Sequence, residues 1–249
     1  METKRKNRTI LLLLLLLALL TFGCVQEQEE KEMEKDQENR IEKVEFITED
    51  GVKIIGNLYK ADKKALILMH QFKRDKSSYS SLQEKLAKAG FSSIAIDLRG
   101  HGESLEQKGI KRPYTTFVEA DFRDMEKDAK ATKKFLESQG YQVYAVIGAS
   151  IGANTALNFC AKNEDIQKCV LLSPGLNYKG ISTEESASSV KSKTMIVVSS
   201  EDEYSLASSR ALAKKISNAE LKELKNAGHG TDMFKPTNLE NELVEWLKK

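Results

Sequence analysis

The sequence predicts an α/β architecture: a mostly parallel sheet with helices on both faces. Three observations predict it. Compact apolar runs at 65–69, 93–96, 143–147, 170–172 and 195–198 lack the alternation of a strand with one wet face, so they read as strands buried on both sides. Polar stretches with apolar residues at helical spacing occupy 78–89, 117–138, 151–161, 206–216 and 239–247. The two kinds of segment alternate, and parallel neighbours need crossovers of that length.

Taken from the amino end, the first two dozen residues follow a different logic. Lys4, Arg5, Lys6 and Arg8 precede an apolar run over 10–20, the pattern of an export signal expected over residues 1–23. That run is shorter than the roughly 18 to 20 residues that span a bilayer, which favours a secretory segment over a permanent span. Thr21, Phe22, Gly23 and Cys24 follow at once and resemble the cleavage box of prokaryotic lipoproteins, in which a cysteine becomes the lipidated first residue. Such boxes carry leucine three places before the cysteine, whereas here Thr21 stands there and Leu20 lies one place further back. Lipid attachment at Cys24 and an uncleaved anchor running to Val25 both stay open. Either would hold the protein on the outer face of the cytoplasmic membrane.

Residues 24–40 are dominated by Glu, Gln, Lys and Asp, too polar to offset the entropy of ordering by burial, and read as a tether. The body, 41–249, is long enough for one domain with a substantial core. It opens with two alternating segments, 44–47 and 52–59, about Glu49-Asp50-Gly51, expected as a hairpin. The apolar runs and amphipathic stretches follow in turn, with a last short strand at 221–224. Hydrophobic residues make up 40% of the chain and charged residues 31%, a balance suited to a filled core and a wet exterior. The formal net charge is only +2 and no basic cluster alternates with aromatics, which argues against nucleic acid as a partner. Cys160 and Cys169 lack metal-type or redox-type spacing; a disulfide and two buried thiols both remain open.

Chemistry concentrates on Gly148-Ala149-Ser150-Ile151-Gly152, a G-x-S-x-G segment between an apolar strand and a helix. A serine on so sharp a turn takes a strained backbone, and side chains two places to either side would collide, so glycine is needed at both. The turn exposes the hydroxyl and aims the first N–H groups of the following helix at an oxygen bound beside it. An alcohol needs a base, and the chain offers His70, His101 and His229. His229, in Ala227-Gly228-His229-Gly230 after the last strand, completes the chain order serine, acid, histidine. The acid should stand in the loop after 198; Asp202 is the choice, with Glu201 and Glu203 beside it, and an acidic turn capping the next helix is the alternative.

These residues resemble the α/β-hydrolase superfamily, in its single-domain esterase and dienelactone-hydrolase-like branch. Asp97-Leu98-Arg99-Gly100-His101-Gly102-Glu103-Ser104 resembles the family's D-x-R-G-x-G-x-S loop, and His70-Gln71-Phe72 its H-G-F segment, with Gln71 in place of glycine. The resemblance covers 41–249. It implies an eight-stranded α/β-hydrolase sheet, and an oxyanion hole made by the backbone N–H groups of Phe72 and Ile151. His70, His101, Asp97 and Arg99 become loop-building residues. The stretch from 175 to 193 is too brief for a large cap, so the expected cap is small or absent, with 109–116 and 177–192 as pocket walls.

The expected activity is cleavage of a small acyl substrate, a carboxylic ester, through an acyl-enzyme formed on Ser150. No metal or organic cofactor is required for it. A peptidase or thioesterase uses the same parts, and an anchored binding protein that lost the reaction is the non-enzymatic alternative.

Overall fold

Parallel pairing dominates because the buried strands have helices to cover both faces. The computed structural model describes residues 41–249. The expected signal segment, the tether and Cys24 lie outside the described residues. Strands β1 (Ile41–Ile47) and β2 (Lys53–Tyr59) are sheet neighbours joined by a turn in which the Val52 carbonyl accepts from Thr48 N–H at 2.9 Å. Then come β3 (Lys64–Met69), α1 (Ser80–Lys88) and β4 (Ser92–Ile96). A short ladder of β5 (Glu106–Gln107) and β6 (Ile110–Lys111) precedes α2 (Glu119–Arg123) and α3 (Met125–Ser138). The second half runs β7 (Gln142–Ala149), α4 (Ile151–Lys162) and β8 (Lys168–Leu172), then a second ladder, β9 (Asn177–Tyr178) and β10 (Ile181–Ser182). It ends with β11 (Lys193–Ser199), α5 (Glu203–Lys215), β12 (Ala219–Leu224) and α6 (Leu239–Lys248).

The eight-stranded sheet has the order β1-β2-β4-β3-β7-β8-β11-β12. Strands from β4 across to β12 are parallel, and β2 pairs antiparallel with β4. Chain order reverses between β3 and β7, which opens a crevice at their carboxyl ends, where open α/β sheets place their ligands. One core fills the face under α3 and α4 with Ile67, Ile94, Val146, Leu157 and Leu171; the opposite face buries Leu66, Leu86, Ile147, Val170, Leu243 and Trp246.

The expected helix over 117–138 is two helices. At the break, Asp124 directs its carboxylate to Lys127, three residues on, at 2.9 Å and to Arg99 at 3.7 Å; the second is long-range pairing that a helical period does not register. The expected start at 78 lies inside a 3-10 turn, Lys76–Tyr79, capped by the Asp75 side chain on Ser77 N–H. Cys160 and Cys169 are free, buried thiols in contact, and the Cys160 thiol followed by burial pushes that of Cys169 well up. Among the described residues no helix is long and apolar enough to cross a membrane.

Candidate active site

Ser150 ends β7 and opens α4 in the conformation its neighbours demand: φ is 51° and ψ −114°. The two glycines are steric requirements. A Cβ on Gly148 would stand 2.1 Å from the Gly152 carbonyl oxygen, and one on Gly152 would stand 2.3 Å from that of Met69, at the end of β3. Helix and strand touch backbone to backbone there, which fixes how far Ser150 projects from the sheet. Ser150 N–H donates to the Leu172 carbonyl at 2.8 Å, extending the β7–β8 register to Ser150. Ile151 begins the helix, where backbone N–H groups have no carbonyl a turn earlier to bond.

Asp202 and His229 arrive from adjacent strands, β11 and β12. His229 Nδ1 lies 2.5 Å from Asp202 Oδ2, so Nδ1 carries a hydrogen and donates it to the carboxylate. Asp202 occupies the N-cap position of α5 yet caps nothing with its side chain. Glu201 has a different duty. Its Oε2 accepts from Ser199 Oγ at 2.6 Å and Asn226 N–H at 2.7 Å, and its Oε1 from Ser200 Oγ at 2.9 Å. These hydroxyls and the Asn226 amide hold its carboxyl down at about 2. The loop after β11 is thereby tied to the loop after β12.

The loop after β3 is fastened from several sides. His70 is fully buried; its Nε2 accepts from Leu98 N–H at 3.0 Å and its Nδ1 bonds the Gln71 carbonyl at 2.8 Å. Burial lowers its pKa to about 4, so it is neutral. Phe72 packs edge-on to Tyr114 at 5.0 Å and to His101 at 5.6 Å, with Tyr114 stacked on His101 at 4.5 Å. Tyr114, expected in a pocket wall, thus braces the loop. Asp97 accepts from Lys76 N–H and Glu103 N–H, both at 2.8 Å, and from Lys76 Nζ at 2.7 Å. Arg99 is buried between Asp128 at 2.7 Å and Asp50 at 2.8 Å.

Tyr178, on β9, is a site residue that sequence reasoning placed only within a wall. Its hydroxyl shares a hydrogen bond with Ser205 Oγ at 2.8 Å, while its ring meets the His229 ring edge-on at 6.3 Å. Burial leads the influences that push its pKa to about 12, so it is a neutral donor. Ser150 itself is only 6% exposed. The signal for it was weak: one tyrosine in a polar stretch. Lys179 Nζ lies 4.9 Å and Lys73 Nζ 5.7 Å from the Phe72 ring centre, and neither makes an ion pair among the described residues. Nor do the described residues gather three or more His, Cys, Asp or Glu side chains in a group able to hold a metal ion.

A family model described as serine aminopeptidase, S33, matches residues 60–187, just over half of the chain. Solved structures are similar over most of the length. An esterase from Pyrococcus furiosus superposes with TM-score 0.70 at 21% identity, covering 86% of this chain and 94% of that one. An esterase from Exiguobacterium antarcticum gives 0.68 at 13%, covering 84% and 100%, and a dienelactone hydrolase from Anabaena variabilis gives 0.64 at 17%, covering 84% and 98%. At these identities the likeness is one of fold. No curated protein sequence matches the chain.

Proposed function

This chain belongs to the serine aminopeptidase, S33 family, serine hydrolases of the α/β fold, and from that premise we propose that it cleaves carboxylic esters through Ser150, His229 and Asp202. The observation that carries the reading is the Asp202 carboxylate, which leaves a helix N-terminus uncapped to bond Nδ1 of His229. That bond leaves Nε2 as the basic nitrogen. Nε2 takes the Ser150 proton, Ser150 Oγ attacks the acyl carbonyl, and the backbone N–H groups of Phe72 and Ile151 receive the oxyanion. His229 then protonates the leaving alcohol, and water, activated by the same nitrogen, releases the acid. Asp202 holds the tautomer and stabilises the imidazolium.

The family description raises a second reading, an aminopeptidase. Such an enzyme has to hold a substrate ammonium beside the scissile bond. The ammonium groups of Lys73 and Lys179, 5.7 and 4.9 Å from the Phe72 ring centre, would repel it. Ester cleavage meets no such penalty.

We propose residues 41–249 as the hydrolase domain, with 1–23 as an export signal and 24–40 as a tether to the outer face of the cytoplasmic membrane. That part rests on the sequence alone. Release of a Cys24→Ala protein into the soluble exported fraction would support lipid anchoring; unchanged membrane association would refute it.

The enzymatic reading is tested with p-nitrophenyl butyrate and a fluorophosphonate probe. The parent should turn over the ester and take up the label, and Ser150→Ala should do neither. Undiminished turnover in Ser150→Ala removes the reading, and absence of labelling on the folded parent favours a binding protein. A matched aminoacyl amide cleaved faster than the ester would favour the peptidase.

A further inference from the structure

We infer that Gln71 is the positioning residue for the loop that carries His229, an inference that rests on the reading of His229 as the base. Its side chain is 5% exposed, and a buried primary amide needs partners for two acceptor sites and two donor hydrogens. All four are used, and all on one short segment. Oε1 accepts from Thr231 N–H at 2.7 Å and Thr231 Oγ1 at 2.9 Å. Nε2 donates to the His229 carbonyl at 3.3 Å and to Asp232 Oδ2 at 3.2 Å. The orientation of the amide is set by this network, because only an oxygen can face the Thr231 N–H.

The other end of the residue is equally fixed. Its carbonyl accepts from Arg74 N–H at 3.1 Å and from the ring of His70, which is itself held by Leu98 N–H. The bonds therefore run from the core of the sheet through residue 71 to the backbone of the base. Gly230 belongs to the same contact: its φ is +59°, and a Cβ there would stand 2.2 Å from Gln71 Oε1. Three positions, 71, 230 and 231, fit one another and make no sense singly. Because Gln71 immediately precedes Phe72, the same residue also sets the distance between the oxyanion donor and the base. A glycine or alanine at 71 would leave the loop's Thr231 N–H and His229 carbonyl without these partners and free to drift by fractions of an ångström.

The test uses the full chain with p-nitrophenyl butyrate, following kcat and KM separately together with the rate of fluorophosphonate labelling. Gln71→Gly and Gln71→Ala should lower kcat roughly 10- to 100-fold, the scale of a small misplacement of a reacting group, with KM changed less than about threefold. Labelling should slow in step. Gln71→Glu keeps both acceptor contacts but sets a carboxylate oxygen against both Asp232 and the His229 carbonyl, and Asp232→Asn in that background supplies a donor that relieves the first of these. The double variant should recover activity relative to Gln71→Glu alone, a rescue that a merely structural role would not produce. Gln71→Gly within about twofold of the parent in kcat and labelling rate overturns the inference, as does a loss confined to KM. Should Gln71→Gly fail to fold, the Glu and Asn pair decides: no rescue refutes it. A parent whose activity survives Ser150→Ala would instead bring down the underlying reading of the site.

Discussion

Asp202 stands at the head of α5 yet turns its carboxylate off the helix and onto Nδ1 of His229, 2.5 Å away. A group that only terminated a helix would bond that helix's own N–H groups. Asp202→Asn should therefore leave folding intact while letting the imidazole adopt the wrong tautomer. The expected loss in kcat is roughly 10³- to 10⁴-fold with the thermal midpoint nearly unmoved, measured by ester hydrolysis and calorimetry.

Gly152→Ala should be far more harmful than its small size suggests. The added methyl would come 2.3 Å from the Met69 carbonyl oxygen and 2.7 Å from that of His70, both main-chain atoms that cannot rotate away. Strand and helix must part, at a cost of about 1–3 kcal/mol or more in urea unfolding, and the Phe72 loop moves with them. Gly140→Ala is the control, since its Cβ meets nothing within 4 Å although φ is +83°. That variant should be fully active and destabilised by only about 1 kcal/mol.

Stability should decline in mild acid. Burial depresses the pKa of His70 from 6.5 to about 4 in the folded chain. Between those values the unfolded chain binds a proton that the native state refuses, so its contribution is whole above 6.5 and is lost as the pH falls toward 4. The slope from this one group is at most about 1.4 kcal/mol per pH unit. Urea midpoints across that interval check it, and the burial that likewise depresses His101 acts in the same direction.

Lys168 is a buried ammonium serving the C-terminus of α6. It donates to the Trp246 carbonyl at 2.7 Å and the Leu247 carbonyl at 3.0 Å, and lies 4.8 Å from the centre of the Trp246 ring. Lys168→Met keeps the stem and removes the donor to the Trp246 carbonyl, while the Leu247 carbonyl keeps the Tyr144 hydroxyl at 3.1 Å. Unfolding by urea should show a loss of about 1–3 kcal/mol with activity retained.

The buried runs were legible because a strand covered on both faces has no polar partner to interrupt it, and all five occur as strands of the sheet. The G-x-S-x-G turn was legible for a steric reason that reappears as the clash distances at Gly148 and Gly152. What was not legible depends on partners far along the chain. Asp124 stands at the break between α2 and α3 with Arg99 at 3.7 Å, and nothing between 117 and 138 signals that partner. Gln71 stood out as a polar residue in place of glycine, but its partners at 229–232 lie about 160 positions away. Tyr178 was hidden for the same reason: its neighbours, Ser205 and His229, become neighbours only through the sheet.

The interleaved strand order has a temporal consequence. β3 lies in mid-sheet, and its loop is latched through the Gln71 side chain onto residues 229–232, beyond the final strand. A polypeptide emerging amino end first could assemble most of the sheet and still have neither imidazole nor latch. On the proposed reading of His229, partly synthesised or carboxy-truncated chains ending before 229 should be inert toward esters, so esterase activity would report arrival of the distal segment rather than formation of the sheet.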